Sequence, residues 1–421
     1  MISNLNIFLR GLSSVFILSN LGNLFSYIFI FILGRYLNNH DFSIFMTLNS
    51  FIAILISPIA FSPMVLSKSF INNFSFSDLL KSNYIKNLIF LTIFLVIILD
   101  LIFLAFFNQI KLVLNYDNHF HIYLSLIIIN LSYISIPMHG IFQGARLFFK
   151  FSLIASMPMF LKVLFVFAFF YFLLDLSLLD LVLYSIISAI ALTIIISAYF
   201  LLKSFNLRLG SFSKSVIFDI FKSFKDFQFI LICNIYYLFL ISVDIIIANN
   251  IFNSEETAHY SKLSVIAKSI FYLFSSLSAV IFPIAVQNKF DNNLRESIKN
   301  LLQGTLIFFV ISSFVVFIFY FFYDLIFFYS FNISLPEYKN IFTIQSTNYC
   351  ILALSQFIAV FNIANSKNNF VYFFFILTII HLITGLIYIK SLTGLIYLNL
   401  IISSLTLLIV VYQSIKVSNE K

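Results

Sequence analysis

The sequence is poor in charge, because only 10% of its 421 residues are Asp, Glu, Lys or Arg. It has six prolines, nine glycines and two cysteines, whereas 62% of its residues are hydrophobic and the mean hydropathy is +1.06. No stretch is polar enough to form a soluble domain, so the soluble globular class is excluded. The two cysteines, Cys233 and Cys350, lie within apolar segments, and we expect buried thiols rather than a disulfide.

Motifs for soluble chemistry are also missing from the sequence. It has no glycine-rich phosphate loop, no histidines at metal-ligand spacing and no acidic cluster of the glycosyltransferase type. We therefore expect no metal, no cofactor and no enzymatic activity, and an ion gradient or substrate flux should supply any energy. The first apolar segment lacks a small-residue cleavage site, so we expect a retained helix rather than a signal peptide.

The sequence instead contains about twelve apolar blocks, each long enough to cross a hydrocarbon core as a helix of roughly 20 residues. Only helices and closed barrels satisfy the backbone in lipid, and no barrel-type alternation occurs. The sequence therefore predicts an all-α polytopic membrane protein. The predicted spans are 11–34, 42–66, 84–107, 120–143, 151–174, 178–202, 227–250, 260–287, 301–324, 341–363, 369–389 and 393–414.

The loops between these spans differ in their content of Lys and Arg. Most basic residues fall in alternate loops, and the remaining loops hold only Arg35, Lys111, Lys262, Lys339 and Lys390. By the positive-inside rule, this asymmetry predicts that both termini are cytoplasmic. The net charge of +8 is thus largely a property of topology and does not indicate nucleic-acid binding.

The longest hydrophilic segment lies midway along the chain, after six predicted spans. It predicts an N-terminal lobe over 1–203, a cytoplasmic loop over 204–226 and a C-terminal lobe over 227–421. Six spans is an even number, so the two halves enter the membrane from the same side and can be parallel repeats. A similarity between 20–69 and 234–289 supports such a repeat.

Polar residues form a stripe on one face of the fourth span. Steps of three and four residues bring together Ser132, Ser135, His139, Gln143 and Arg146. Two interpretations are open, since the stripe can line a water-filled cavity or hold neighbouring helices together while Arg146 marks the inner interface.

Ionisable residues inside four further spans are candidate functional groups. Lys268 of the eighth span either faces a hydrated cavity or extends its ammonium to the interface. Asp244 of the seventh span has a similar depth, so the two predict an ion pair, either structural or functional. Lys162 is deep in the fifth span and is the best single intramembrane site. Asp100 stands among apolar residues, near the outer interface or able to take a proton.

Three segments carry a resemblance to a known family. The run 242–290 resembles the central signature of bacterial polysaccharide flippases, with an Asp near a span's end, a short loop with paired acids, an aromatic residue opening the next span and a Phe-Pro pair. Segments 20–58 and 141–152 resemble the same family. The chain departs from it where Ala258-His259 and Ser43 replace glycines.

The resemblance implies an O-antigen-type flippase of the multidrug/oligosaccharidyl-lipid/polysaccharide exporter superfamily, with two six-helix lobes around a central cavity. Such a protein moves an undecaprenyl-pyrophosphate-linked oligosaccharide across the bacterial inner membrane by alternating access. The expected partners are this lipid-linked substrate, membrane lipids and other membrane proteins of polysaccharide assembly, but no nucleic acid. The candidate substrate contacts are Lys162, Lys268, Arg146, His139 and Gln143, and the candidate ion-coupling residues are Asp244 and Asp100.

Two other functions remain open from the sequence. A cation-coupled multidrug exporter of the same fold should place acidic residues in its cavity, which the intramembrane lysines disfavour. A membrane oligosaccharide polymerase would form a covalent product, whereas a flippase changes only the leaflet in which its substrate lies.

The topology is testable by cysteine accessibility. We expect Ser213→Cys, in the central loop, to react with a membrane-impermeant reagent only after the membrane is permeabilised, because the charge pattern makes this loop cytoplasmic. Ser391→Cys, in an alternate loop, is the matched control and should react in intact cells. The opposite labelling pattern would reverse the predicted orientation.

Overall fold

The computed structural model describes residues 2–60, 62–63, 78–145, 147–172, 176–205, 228–290, 294–365 and 368–419. All regular structure in this part of the chain is helical. The helices are α1 (Ile2–Tyr36), α2 (Asn39–Ala60), α3 (Asp78–Ala105), α4 (Phe107–Leu114), α5 (His119–Gly144), α6 (Phe148–Phe172), α7 (Leu178–Phe205), α8 (Gln228–Ile251), α9 (Ser254–Phe290), α10 (Leu294–Phe321), α11 (Tyr323–Phe331), α12 (Lys339–Ala364), α13 (Val371–Tyr388) and α14 (Leu392–Asn419).

Most of these helices have the length and composition of membrane spans. Eleven of them are long and apolar enough to cross a bilayer, and the 37-residue α9 covers the predicted eighth span. Their outward surfaces are apolar too; on α10, for example, Leu306 is 66% exposed and Phe309 is 68% exposed. An apolar surface this extensive requires a hydrocarbon environment. The predicted all-α polytopic fold is confirmed.

The helices group into two compact units. The first contains Met1–Ile30 and Phe51–Gln228, and the second contains Phe31–Ser50 and Phe229–Lys421. The predicted central loop lies almost entirely outside the described residues, so the lobe boundary there stays a prediction.

The first unit is built around α5, α6 and α7. Its buried core cluster consists of Leu88, Leu91, Met138, Ile141, Phe142, Ile154 and Leu201. At one end of this unit, the imidazole Nε2 of His121 lies 2.8 Å from Oδ1 of Asp180, so the beginnings of α5 and α7 are joined by a polar contact. Ser177 donates to the other oxygen of the same carboxylate at 2.6 Å, which leaves Asp180 satisfied at the membrane surface.

The second unit includes the end of α1, which contacts the end of α11. Arg35 donates from Nε to the carbonyl of Ser330 at 3.1 Å and from its guanidinium to the carbonyl of Tyr329. These are among the last carbonyls of α11, which lack partners within their own helix and favour a cation. The arginine therefore caps a helix that is distant in sequence, while Phe331 packs against Gly34.

Short helices follow both the third and the ninth predicted spans, and the sequence did not predict either of them. α4 ends in Asn115 at φ 46°, and α11 ends in Asn332 at φ 54°, the left-handed conformation that asparagine tolerates. The starts of α2 and α9 also match, because Asn38 accepts from the amide of Asp41 and Asn253 accepts from the amide of Glu256. These paired local structures support an internal repeat.

The contact between α1 and α11 yields a stability prediction. A Cβ atom on Gly34 would lie 2.6 Å from Cε1 of the buried Phe331, so Gly34→Ala should lower the free energy of unfolding by roughly 1–3 kcal/mol. Adding Phe331→Leu to that variant should restore part of the loss. Thermal unfolding can be followed with a thiol-reactive dye, since Cys233 and Cys350 are buried free thiols.

Gly394→Ala is the control for this series. Its nearest neighbour would be the Ser391 hydroxyl at 3.1 Å, the end of a side chain that can rotate away. We expect little change there or a slight gain in stability. Equal losses for Gly34→Ala and Gly394→Ala would contradict the packing argument.

Candidate functional site

A fully buried carboxylate lies at the centre of the second unit. Asp244 of α8 is 0% exposed, and its Oδ2 accepts three side-chain hydroxyl hydrogen bonds. Tyr260 and Ser264 of α9 donate at 2.8 and 3.2 Å, and Tyr349 of α12 donates at 2.9 Å. Residues four apart lie on one helical face, so α9 turns the same face toward the carboxylate over successive turns.

The other carboxylate oxygen binds a cation. The Lys268 ammonium, one further turn along α9, donates to Oδ1 of Asp244 at 3.2 Å, and the amide of Ile245 donates to the same atom at 2.9 Å. Lys268 also lies 5.9 Å from the ring centre of Tyr349. The structure thus contains the Asp244–Lys268 ion pair that matched depth predicted. Lys268 itself is buried by this pair, so any direct contact with a substrate requires the pair to open.

A second layer of amides and an imidazole surrounds the tyrosine hydroxyls. Gln345 donates to Tyr260 at 3.3 Å and to Tyr349 at 3.2 Å, and Asn399 of α14 donates to Tyr260 at 3.1 Å. His381 of α13 places Nε2 2.9 Å from Oδ1 of Asn399. The network thus draws on α8, α9, α12, α13 and α14.

The ion pair has no counterpart in the first half of the repeat. Counting from the capping residues Asn38 and Asn253, Phe29 stands where Asp244 stands in the second half, and Ala53 stands where Lys268 stands. Both repeats form the helices, so the fold does not depend on the pair. A buried ion pair also adds little stability over apolar side chains of similar volume. These two points favour a functional role.

Lys162, the deepest predicted cation, lies in the first unit. This half-buried residue of α6 donates from Nζ to Oγ of Ser26 at 3.1 Å, and its ammonium lies 4.7 Å from the ring centre of Phe29. Among the described residues, no carboxylate lies within 4.0 Å of it. A hydroxyl and an aromatic face stabilise a cation but do not neutralise it.

The polar stripe of the fourth span lies on α5. His139 is buried, and its Nε2 has no hydrogen-bond partner among the described residues, whereas Gln143 is half-buried. Ser132 satisfies its hydroxyl on the carbonyl of Ile128 in its own helix. No described hydrogen bond or ion pair joins His139 or Gln143 to Lys162. Arg146 lies outside the described residues.

Asp100 is separate from both groups. Its Oδ1 accepts a 2.8 Å hydrogen bond from the amide of Asn130 on α5, so an amide rather than a cation satisfies it. In the described part of the chain, no three His, Cys, Asp or Glu side chains are grouped closely enough to hold a metal ion.

Solved structures of known proteins share this fold. One, described as the inward-facing conformation of a multidrug resistance MATE family transporter of the MOP superfamily, matches with a TM-score of 0.75 at 13% identity, covering 94% of each chain. An outward-facing MATE structure matches with a TM-score of 0.63 at 14% identity. A MOP superfamily transporter from Pyrococcus furiosus, described as having a binding pocket of reverse polarity that suggests a different function, matches with a TM-score of 0.65 at 13% identity. The last two matches each cover 97% of this chain and 94% of the other.

The structural similarity covers nearly the whole chain, but it is not accompanied by similarity in sequence. No protein-family model and no curated protein matches the sequence. At these identities the comparison establishes the fold alone: the chain is a polytopic membrane protein with the two-lobed fold of MATE transporters.

The ion pair predicts strong coupling in a double-mutant cycle. Asp244→Asn leaves Lys268 buried without its counter-charge, and we expect a loss of about 3–5 kcal/mol in the free energy of unfolding. Lys268→Gln should also destabilise, and the double variant should recover much of the loss. The thiol-dye unfolding assay measures all three variants.

Lys262 provides the matched control, as a second buried lysine on α9. Its ammonium donates to the side chain of Asn39 at 3.0 Å rather than to Asp244. Lys262→Gln should therefore combine additively with Asp244→Asn. Additivity for Lys268 as well would show that the two charges do not act as a pair.

Proposed function

We propose that this chain is a flippase that moves an undecaprenyl-pyrophosphate-linked oligosaccharide from the cytoplasmic to the periplasmic leaflet of a bacterial inner membrane. The MATE transporter fold supports a membrane transporter rather than an enzyme. The resemblance of 242–290, 20–58 and 141–152 to polysaccharide flippases supports this class of substrate.

One observation carries the choice of an anionic substrate, namely that no carboxylate of the described residues lies within 4.0 Å of the Lys162 ammonium. Its described surroundings are the Ser26 hydroxyl and the Phe29 ring, and no ion pair of the described residues includes it. An uncompensated ammonium inside a membrane helix is costly and is typical of a functional site. A pyrophosphate supplies the missing negative charge and several acceptor oxygens.

The proposed chemistry at Lys162 is binding and orientation. Its ammonium can donate charge-assisted hydrogen bonds to pyrophosphate oxygens, with the Ser26 hydroxyl as a second donor and the Phe29 ring beside them. In the second unit, Lys268 is a separate candidate contact, because it can exchange the Asp244 carboxylate for another oxyanion. Moving the anion outward is favoured by an inside-negative membrane potential, by about 2.3 kcal/mol per charge per 100 mV.

A multidrug exporter is the second candidate function, and the solved structures described as multidrug resistance transporters favour it. Such a protein binding cationic drugs would be expected to offer a free carboxylate. The buried carboxylate of the second unit is instead occupied by Lys268 and three hydroxyl groups.

Substitution of Lys162 tests the proposal. Lys162→Ala should lower the flipping of a fluorescent lipid-linked oligosaccharide in proteoliposomes at least about tenfold, because a charge-assisted hydrogen bond contributes roughly 1.5–3 kcal/mol. Lys162→Arg should recover part of the rate, since it keeps the charge with a different geometry. In cells, surface polysaccharide should fall while the protein stays inserted and abundant.

Lys390→Ala is the control, as it removes an exposed lysine in the loop before α14. Its rate should stay within about twofold of the wild type. Normal surface polysaccharide in the Lys162→Ala/Lys268→Ala double variant would rule out the proposed contacts. Gradient-driven efflux of a cationic dye without flipping would instead support the exporter.

A further inference from the structure

A small cavity lies beside the Asp244 network in the second unit. Its volume is about 10 Å³, roughly the space of one water molecule. It is lined by Leu240, Asn348, Leu352, His381, Asn399, Ile402 and Ser403. The predicted site residues do not include any of these side chains.

Two lining residues carry buried acceptors without partners among the described residues. These atoms are Nδ1 of His381, which is 1% exposed, and Oδ1 of Asn348, which is 3% exposed. The amide of Asn399 donates to Tyr260, so its Oδ1 faces His381 as an acceptor and Nε2 of the imidazole must carry the hydrogen. Nδ1 of the neutral ring therefore carries no hydrogen and can only accept a hydrogen bond. The occupant that fits must donate to both acceptors, as a water molecule can.

One chain of hydrogen bonds runs from His381 to Asp244, and each donor in it lies on the His381 side. Nε2 of His381 donates to Asn399 at 2.9 Å, Asn399 donates to Tyr260 at 3.1 Å, and Tyr260 donates to the carboxylate at 2.8 Å. Aligned hydrogen bonds in a low-dielectric interior polarise one another. A charge on His381 would therefore polarise each hydrogen bond of this chain, including the one that Asp244 accepts.

The network distinguishes which of the two groups accepts a proton. Asp244 receives five donor contacts, and the ionised form satisfies all of them. A proton added there would find no acceptor and would break an existing hydrogen bond. Nδ1 of His381 has no hydrogen-bond partner among the described residues, and His381 lines a cavity of water size.

We propose that this cavity is a proton-binding site. A water molecule in it donates to Asn348 and His381, and a hydronium ion arriving there transfers one proton to Nδ1 and remains as water. The imidazolium keeps its Nε2 hydrogen bond to Asn399. The ligand of the cavity is thus a proton delivered by water, and the acceptor is His381 rather than Asp244.

Protonation changes the charge of the whole network. The titratable groups around His381 in it are Asp244 of α8, Tyr260 and Lys268 of α9 and Tyr349 of α12, whereas α14 contributes neutral side chains. The Asp244–Lys268 pair is neutral, so an imidazolium makes the network positive and competes with Lys268 for the carboxylate. On the proposed function, proton binding therefore favours release of Lys268 to an anionic substrate, and the two ligands bind cooperatively.

Infrared difference spectroscopy of the purified protein tests the site without any transport assay. On acidification from about pH 8 to about pH 5, the wild type minus His381→Gln spectrum should show one imidazolium signal and a displaced carboxylate band. It should show no new protonated carboxyl band. His119→Gln is the control, because this exposed histidine contacts Lys111 rather than the Asp244 network. The corresponding spectrum should show imidazolium without the carboxylate shift that Asp244→Asn removes.

Three results would overturn the proposal. The first is the absence of the imidazolium signal, and the second is a protonated carboxyl band that Asp244→Asn removes. The third is the same set of spectral changes on addition of sodium chloride at constant pH, which would assign the cavity to a metal ion. If His381→Gln fails to fold, ring-labelled histidine in the wild type and in Asn399→Leu decides instead. Asn399→Leu should keep the imidazolium signal and lose the carboxylate shift.

Flipping in proteoliposomes then tests the coupling. A pH gradient should accelerate the wild type and His119→Gln severalfold and should lose this effect in His381→Gln. Gradient-independent flipping in the wild type would refute the coupling. Confirmed spectra without flipping under any condition would refute the proposed function, while the proton site would stand.

Discussion

The second unit depends on one constraint: the oxygens of a fully buried carboxylate must be hydrogen-bonded. Asp244 meets this requirement with partners from α8, α9 and α12. Tyr260 and Tyr349 need further donors for their own oxygens, so Gln345 and Asn399 form the next layer. Hydrogen bonding to one residue thus orders polar side chains from five helices. Apolar contacts alone could pack these helices together, but they would not fix the positions of these polar side chains.

The internal repeat shows what this network adds. The capping asparagines, the short helices and their left-handed asparagines occur in both halves, and they are the elements that the fold reuses. Phe29 and Ala53 show that apolar side chains serve at the positions of the ion pair. Because buried pairs can often be replaced by apolar residues without loss of stability, packing alone does not account for this one. The two halves of the repeat therefore share these local structures and differ at the positions of the ion pair.

Much of the fold could be predicted from the sequence, because span length and hydropathy are local properties. The Asp244–Lys268 pair was predictable too, since consecutive antiparallel helices fix the relative depth of their residues. Tyr349, His381 and Asn399 could not be found this way, because each is a lone polar residue whose partners lie far away along the chain. A stripe on one helix was weaker evidence, since Ser132 is satisfied by its own backbone. The short α4 and α11 were missed because their apolar composition merges with the adjoining spans.

On the proposed function, few side chains set the charge of the transported substrate. Helix packing over some four hundred residues persists at 13% identity, so it tolerates replacement of nearly every side chain. Among the described residues, Lys268 pairs with Asp244 and no carboxylate lies within 4.0 Å of Lys162, so on the proposed function these groups favour an anion over a cation. On the proposed function, similarity of fold and difference of substrate are therefore compatible, because a few ionisable side chains can differ within one helix arrangement.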